Sequence, residues 1–231
     1  MENVSAERSA GWSVLCYVLL LIVASLMTSP MPSVNQGPAD LAALVDAHRT
    51  VILLSAWLAF PASAFFLWFL VGLRGYLKQA PGRQEGLPTF ALIAGVVMVA
   101  GSLFAASLET VIGYATPEAF QSNGIAGIYS AYMFIQGGLG YAPVAIFLFA
   151  AAHSMRRHAF APAWLAWFGY AAAAGAGIAT LSIFFTDPFM SPNGFGPGLF
   201  GALPSAVWLI ATGVVMIRTH GISVGAAAEA P

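Results

Sequence analysis

The sequence predicts an all-α integral membrane protein with six transmembrane helices. Of its 231 residues, 59% are hydrophobic and only 7% are charged. A soluble domain averages about 25% charged residues, so this chain must expose most of its surface to lipid. Its apolar runs do not alternate with polar residues as the strands of a membrane barrel do. Helices are therefore the predicted way of crossing the membrane.

Six apolar runs match the length of about 20 residues that a helix needs to cross the hydrocarbon. The fourth run is the longest, and we expect it to be tilted or kinked. The predicted helices of this single transmembrane domain are 11–28, 51–73, 90–108, 125–152, 163–185 and 197–217. The first run also fits a cleaved signal peptide. The lack of a clear small-x-small cleavage site favours a retained helix.

The connection between the first two runs carries helical signals of its own. Pro38 and Asp40 are residue types that favour a helix start. Leu41, Val45 and His48 fall on one face at helical spacing. We expect an interfacial helix over about 38–50 that runs directly into the second transmembrane helix.

The basic residues predict the orientation of the chain. Seven of the eight Lys and Arg residues lie on one side of the predicted membrane, and Arg49 is alone on the other. By the positive-inside rule the side with seven is cytoplasmic. We therefore expect a bacterial plasma membrane protein with both termini in the cytoplasm.

Three prolines suggest a cavity. Pro61, Pro143 and Pro204 lie 13 or 14 residues before the arginine that ends their helix, about 20 Å from the cytoplasmic end. Kinks at one depth predict three similar hairpins with an outward-opening apolar cavity between helices two, four and six. Such a cavity would suit a lipid tail, a quinone or an isoprenoid. Coincidence is the alternative, because proline is common in membrane helices.

Several functions are excluded by what the runs lack. The four histidines lie outside them, so a transmembrane haem has no ligands, and Lys78, the only lysine, lies in a loop. We expect no cofactor and no metal. The runs contain no ionisable residue, which argues against a proton pump or an ion channel. A net charge of −1 argues against nucleic acid. Membrane lipids are the expected partners, and protein partners are open.

Polar residues gather at the predicted outer face. The set comprises Asp40, Asp46, His48, Arg49, Glu109, Glu118 and Asp187. The simplest interpretation is solvated helix ends, with Asp46 and Arg49 paired along one helix. A second is that Arg49 bridges Glu109, or else Asp187, and closes the bundle. A third is a metal or acid-base site of His48, Asp46, Glu109 and Asp187, although their spacing carries no signature.

Inside the bundle, Gln136 and Tyr141 are the candidate ligand-binding residues. Gln136 precedes Gly137 and Gly138, and its amide must find partners in hydrocarbon. An interhelical bond is one role, and lining a ligand cavity is the other. Small residues at four-residue spacing in helix five, such as Ala171 with Gly175, predict close helix packing.

Three stretches of the chain resemble a group of uncharacterised bacterial, largely actinobacterial, six-helix membrane proteins of unknown function. They are 39–75, 162–169 and 203–210. The resemblance covers nearly the whole chain, but its motifs are mostly hydrophobic. It implies six helices in a bacterial plasma membrane and transfers no catalytic residue.

The function that the sequence favours is non-enzymatic. We expect a protein that binds a hydrophobic or lipid-like ligand or serves as an accessory membrane subunit. A membrane-embedded enzyme acting on a lipid or isoprenoid at the outer face is an alternative, and would need two or more outer acids in one pocket. A small transporter is another, and would need a polar path to the cytoplasm.

Overall fold

The computed structural model describes residues 2–28, 38–78, 86–116, 119, 123–158, 161–192 and 194–228. All regular elements in this part of the chain are helical. They are α1 (Glu2–Thr28), α2 (Pro38–Lys78), α3 (Gly86–Tyr114), α4 (Asn123–Gly137), α5 (Tyr141–His158), α6 (Ala163–Thr180), a 3-10 turn (Leu181–Phe184), α7 (Phe195–Pro197), a π-helical turn (Gly198–Ala202) and α8 (Leu203–Ala228).

Six segments are long and apolar enough to cross a membrane, which confirms the predicted fold class. They are Glu7–Met27, Leu41–Lys78, Gly86–Tyr114, Gly124–Arg157, Ala163–Phe184 and Phe195–Arg218. The fourth span is divided into α4 and α5, and the sixth comprises α7, the π-helical turn and α8. The expected distortion of the fourth span is thus a complete break at residues 138–140.

The helix expected over 38–50 is present as the first part of α2. Helical hydrogen bonding continues through the junction, but His48 has non-helical backbone angles (φ −129°, ψ 16°) and marks a kink. Leu41 and Val45 are buried, as the helical spacing predicted, whereas His48 is exposed. The kink turns His48 away from the face that the two apolar residues share.

The spans form a closed ring in chain order. Each span packs on the next one along the chain, and α8 packs back on α1. The expected hairpin partners are therefore in contact, but they are parts of a continuous ring. We call the end of the bundle that holds the start of α2 and the end of α3 the Glu109 end, and the opposite end the Arg74 end.

A chain of aromatic rings crosses the interior of the ring. Tyr17 of α1 contacts Phe66 of α2 with ring centroids 4.5 Å apart, Phe66 contacts Phe147 of α5 at 5.8 Å, and Phe147 contacts Trp208 of α8 at 6.0 Å. Trp208 is fully buried, and its indole N–H donates to the carbonyl of Leu165 in α6. We call these four rings the aromatic seam. It joins spans one, two, four and six.

The two halves of the bundle differ in packing. Towards the Arg74 end, a group of interior side chains beyond the seam is fully buried, including Phe69, Leu73, Met155 and Met216. A second apolar cluster at the Glu109 end joins the start of α2 to α3 and α4 through residues such as Val45, Ile112 and Met133. Between this cluster and the seam the interior contains space.

Candidate functional site

The space in the Glu109 half includes two adjacent chambers. The first has a volume of about 450 Å³ and lies between α1, α2, α3 and α4. The second, of about 580 Å³, lies between α1, α3, the broken fourth span and the sixth span. Tyr17, Ser25, Ser102 and Gln136 line both, so the chambers are adjacent. Both volumes are typical of small-molecule sites.

The first chamber has a polar wall, and we call it the polar chamber. Its polar lining residues are Tyr17, Ser25, Ser55, Ser63, Ser102, Glu109, Tyr132 and Gln136. Of its α2 residues, Ser55, Ala59, Ala62 and Ser63 are small, recur at helical spacing and lie on one face of the helix. Because these side chains are small, this face leaves space inside the bundle, and the hydroxyls of Ser55 and Ser63 line that space. These four residues are not among the predicted site residues, although their spacing is visible in the sequence.

The second chamber is lined almost entirely by apolar side chains, and we call it the apolar chamber. α1 and α8 approach closely near the Arg74 end, where a Cβ added to Gly11 would lie 2.8 Å from the carbonyl oxygen of Gly213. Nearer the Glu109 end, Ile22 and Leu26 of α1 and Leu203 of the sixth span line the chamber instead. All three are exposed, so the rim of the chamber is an apolar surface of the kind that faces lipid.

Glu109 is the central polar residue of the polar chamber. Its helix, α3, ends at Tyr114 rather than at the predicted residue 108, so Glu109 lies within a membrane-spanning segment instead of at its end. The side chain is only 4% exposed. The sequence-based statement that no ionisable residue lies within the spans is therefore wrong for Glu109.

The carboxyl group of Glu109 has one hydrogen-bond partner among the described residues. The hydroxyl of Ser55 on α2 bonds to it, whereas its Oε1 atom is buried without a partner. Tyr132 of α4 lies near enough for the two groups to interact electrostatically. A buried polar atom without a partner is costly, so Glu109 is the least satisfied group on the wall.

Gln136 lies where the two chambers meet. Its side chain is bonded to Tyr132, one turn earlier in the same helix, rather than to another helix as one interpretation of the sequence held. It is exposed to the chambers that it lines. The cavity-lining alternative for Gln136 thus agrees with its position.

The break in the fourth span forms part of both chambers. The carbonyl of Gly137, at the end of α4, accepts a hydrogen bond from the hydroxyl of Ser182 in the fifth span, at 3.0 Å. Gly137 also lies against the carbonyl of Pro192, where a Cβ would have no room. Pro192 belongs to the connection between spans five and six, and it lines the polar chamber. This connection therefore covers the break from the Glu109 end.

Tyr141 lines the apolar chamber at the start of α5. Its ring packs on Gly201 of the π-helical turn, where an added Cβ would lie 2.6 Å from the ring. Of the three prolines that predicted a cavity, Pro143 lines the apolar chamber, whereas Pro61 and Pro204 line neither chamber. The cavity lies in the expected half of the bundle. Spans two, four and six contribute to its walls, but spans one and three do so as well.

The predicted outer-face residues do not gather around Glu109. Arg49 donates through Nη2 to the carbonyl of Ala115 at 3.2 Å, so the expected Arg49–Glu109 bridge is not formed. Asp187 accepts the backbone N–H groups of Phe189 and Met190 at 2.9 and 2.8 Å and fixes its own loop.

Asp46 and His48 are exposed on the first part of α2 and line neither chamber. Glu118 and the side chain of Asp40 lie outside the described residues. Among the residues that are described, no three His, Cys, Asp or Glu side chains are close enough together to hold a metal ion. The geometry therefore does not support the metal or acid-base interpretation of the outer face.

Comparison of the chain with protein-family models, with curated proteins and with solved structures finds no match.

Proposed function

We propose that this protein binds an amphipathic, lipid-like molecule across the two adjacent chambers, with the polar part of the ligand in the polar chamber and its apolar part in the apolar chamber. The observation that carries this proposal is that the two chambers adjoin and share Gln136 and Ser102 in their walls. One end of the path offers hydroxyls, an amide and a carboxyl, and the other offers an apolar wall that is open towards lipid.

The dimensions of the path suit a lipid chain. Along α3 the lining runs from Glu109 to Val97, which is about 18 Å of helix at 1.5 Å per residue. The aromatic seam closes the path towards the Arg74 end. A ligand would therefore enter from the lipid side or from the Glu109 end and lie in one half of the membrane.

The cellular setting is part of the same proposal. Seven of the eight basic residues fall on one side, which supports a bacterial plasma membrane protein with cytoplasmic termini. The Glu109 end would then face outwards, and the ligand would occupy the outer half of the membrane. The resemblance to six-helix actinobacterial proteins is in line with this setting.

A matched pair of glycines tests the proposal. Gly101 lines the apolar chamber and Gly177 lines neither chamber, and an added Cβ would meet no atom within 4 Å at either position. Gly101→Phe would fill the chamber, so we expect native mass spectrometry of the purified protein to show less co-purifying lipid than in wild type. Gly177→Phe should retain the wild-type amount. Equal lipid in both variants would contradict the proposal.

A transporter is a second candidate, and the discontinuous spans favour it. Broken membrane helices often surround transport sites, and π-helical turns are frequent at functional sites. Here the fourth span is broken and the sixth contains such a turn. Transport would require the aromatic seam to open, so exchange of a labelled amphiphile across proteoliposomes would support this candidate over simple binding. The enzyme alternative is weaker, because Glu109 is the only acid among the described lining residues.

A further inference from the structure

The buried acid in the wall of the polar chamber indicates the kind of head group that the chamber accepts. Glu109 is nearly fully buried, and its Oε1 atom has no partner among the described residues. A carboxylate in such a place is costly unless a positive group or several hydrogen-bond donors compensate it. The single hydroxyl of Ser55 does not supply that compensation.

No described residue on the walls of the chambers is basic. The lining contains no Lys, Arg or His. Arg49, which lies near this end of the bundle, donates to the carbonyl of Ala115 instead. The carboxyl group of Glu109 is therefore either protonated or balanced by a positive group that the occupant of the chamber supplies.

The depth of Glu109 matches the head group of an amphiphile. α3 has 29 residues and is about 43 Å long, whereas the hydrocarbon core is about 30 Å thick. A centred α3 leaves about 7 Å beyond the hydrocarbon at each end, and Glu109 lies five residues before the last residue of α3. Glu109 is thus at the boundary between hydrocarbon and head groups, with the apolar chamber deeper in the membrane.

We propose that the occupant is a single-chain amphiphile with a cationic amine head, and that its ammonium group pairs with the carboxylate of Glu109 while its chain occupies the apolar chamber. Tyr132 also lines the polar chamber and interacts electrostatically with Glu109, so its ring is available to an ammonium group in the chamber. This inference rests on the proposed lipid-binding function and specifies the head group of the ligand.

Two probes of equal chain length test the head group. Decylamine carries an ammonium group at neutral pH, whereas decanol has a neutral hydroxyl. Their apparent Kd values for the full chain in nanodiscs of zwitterionic lipid would be measured by native mass spectrometry. A charge-assisted hydrogen bond should make the affinity for decylamine about tenfold to hundredfold higher than that for decanol.

Two substitutions locate the effect. Glu109→Gln keeps the shape of the side chain and removes the charge, so it should weaken decylamine binding by about tenfold or more and weaken decanol binding less. Asp187→Asn removes an acid that lies outside the chambers and should change neither affinity.

The outcomes separate this inference from the proposed function. Equal affinity of the wild type for both probes would overturn the amine head group, and so would unchanged decylamine binding in Glu109→Gln, while lipid binding would stand. Failure of both probes to bind, together with equal lipid in Gly101→Phe and Gly177→Phe, would remove the proposed function itself. The comparison of decylamine with decanol uses the wild type alone. It therefore tests the inference even if Glu109→Gln does not fold.

Discussion

The hydroxyl of Ser182 donates to the carbonyl oxygen of Gly137 across 3.0 Å and ties the fifth span to the break in the fourth. Gly137 is the last residue of α4, and Ser182 is fully buried in the 3-10 turn that follows α6. A helix that stops inside a membrane leaves carbonyls that need other donors. A neighbouring span provides one of them here, which explains how the chain sustains a break beside the chambers.

Replacing Ser182 by alanine should destabilise the protein. The change leaves a buried carbonyl without its donor, and we expect a loss of about 1–3 kcal/mol in the free energy of unfolding. Unfolding by SDS in mixed micelles would measure it. Ser107→Ala is the control, because the exposed hydroxyl of Ser107 bonds only to Leu103 of its own helix and its loss should be near neutral. Equal stability of the two variants would contradict a structural role for the Ser182 bond.

A methyl group at Gly137 should displace the connection between spans five and six. Its Cβ would occupy the place of the Pro192 carbonyl, and backbone cannot yield as a flexible side chain does. We expect Gly137→Ala to lower the melting temperature in detergent. Gly127→Ala in the same helix meets no atom within 4 Å and should be neutral or raise stability by about 0.5–1 kcal/mol, as alanine usually does in a helix. Similar melting temperatures would show that Pro192 does not pack on the break.

The sequence predicts the spans well because their signal is local. Hydrophobic length determines whether a segment crosses the membrane, and all six segments are found. The predicted helix ends are less accurate, because helices continue into polar segments that hydropathy does not identify as helical. α2 continues to Lys78 and α3 to Tyr114. The second extension brings Glu109 from a helix end into the interior.

The arrangement of the site could not be predicted, because it depends on which helices are neighbours. Equal depths of Pro61, Pro143 and Pro204 suggested that spans two, four and six share a cavity. The closed ring instead places span one beside both span two and span six, so α1 contributes walls to both chambers. Ser55 and Glu109 lie 54 positions apart in the chain, and nothing in the sequence pairs them.

The proposed orientation predicts which loops are accessible from outside the cell. Asp187 and Arg157 are both exposed and lie at opposite ends of the bundle. In a background where Cys16, the only cysteine, is replaced by serine, a membrane-impermeant thiol reagent added to intact cells should label Asp187→Cys and not Arg157→Cys. After lysis both should react. Labelling of Arg157→Cys alone in intact cells would show that the orientation is opposite to the proposed one.

A pair of double-mutant cycles distinguishes the observed contacts of Glu109 from the bridge that the sequence suggested. Arg49 bonds to the carbonyl of Ala115, and Glu109 bonds to Ser55. Because the two contacts are separate, the effects of Arg49→Gln and Glu109→Gln on unfolding free energy should add within about 0.3–0.5 kcal/mol.

The matched cycle combines Ser55→Ala with Glu109→Gln. These two side chains share a hydrogen bond, so their combined effect should differ from the sum by about 0.5 kcal/mol or more. Arg49→Gln alone should cost about 0.5–1.5 kcal/mol, because it removes a hydrogen bond that joins the start of α2 to the end of α3. Coupling between Arg49 and Glu109 as large as that between Ser55 and Glu109 would mean that the carboxyl pairs with the guanidinium. The polar chamber would then already contain its counter-charge and would not need an ammonium group from a ligand.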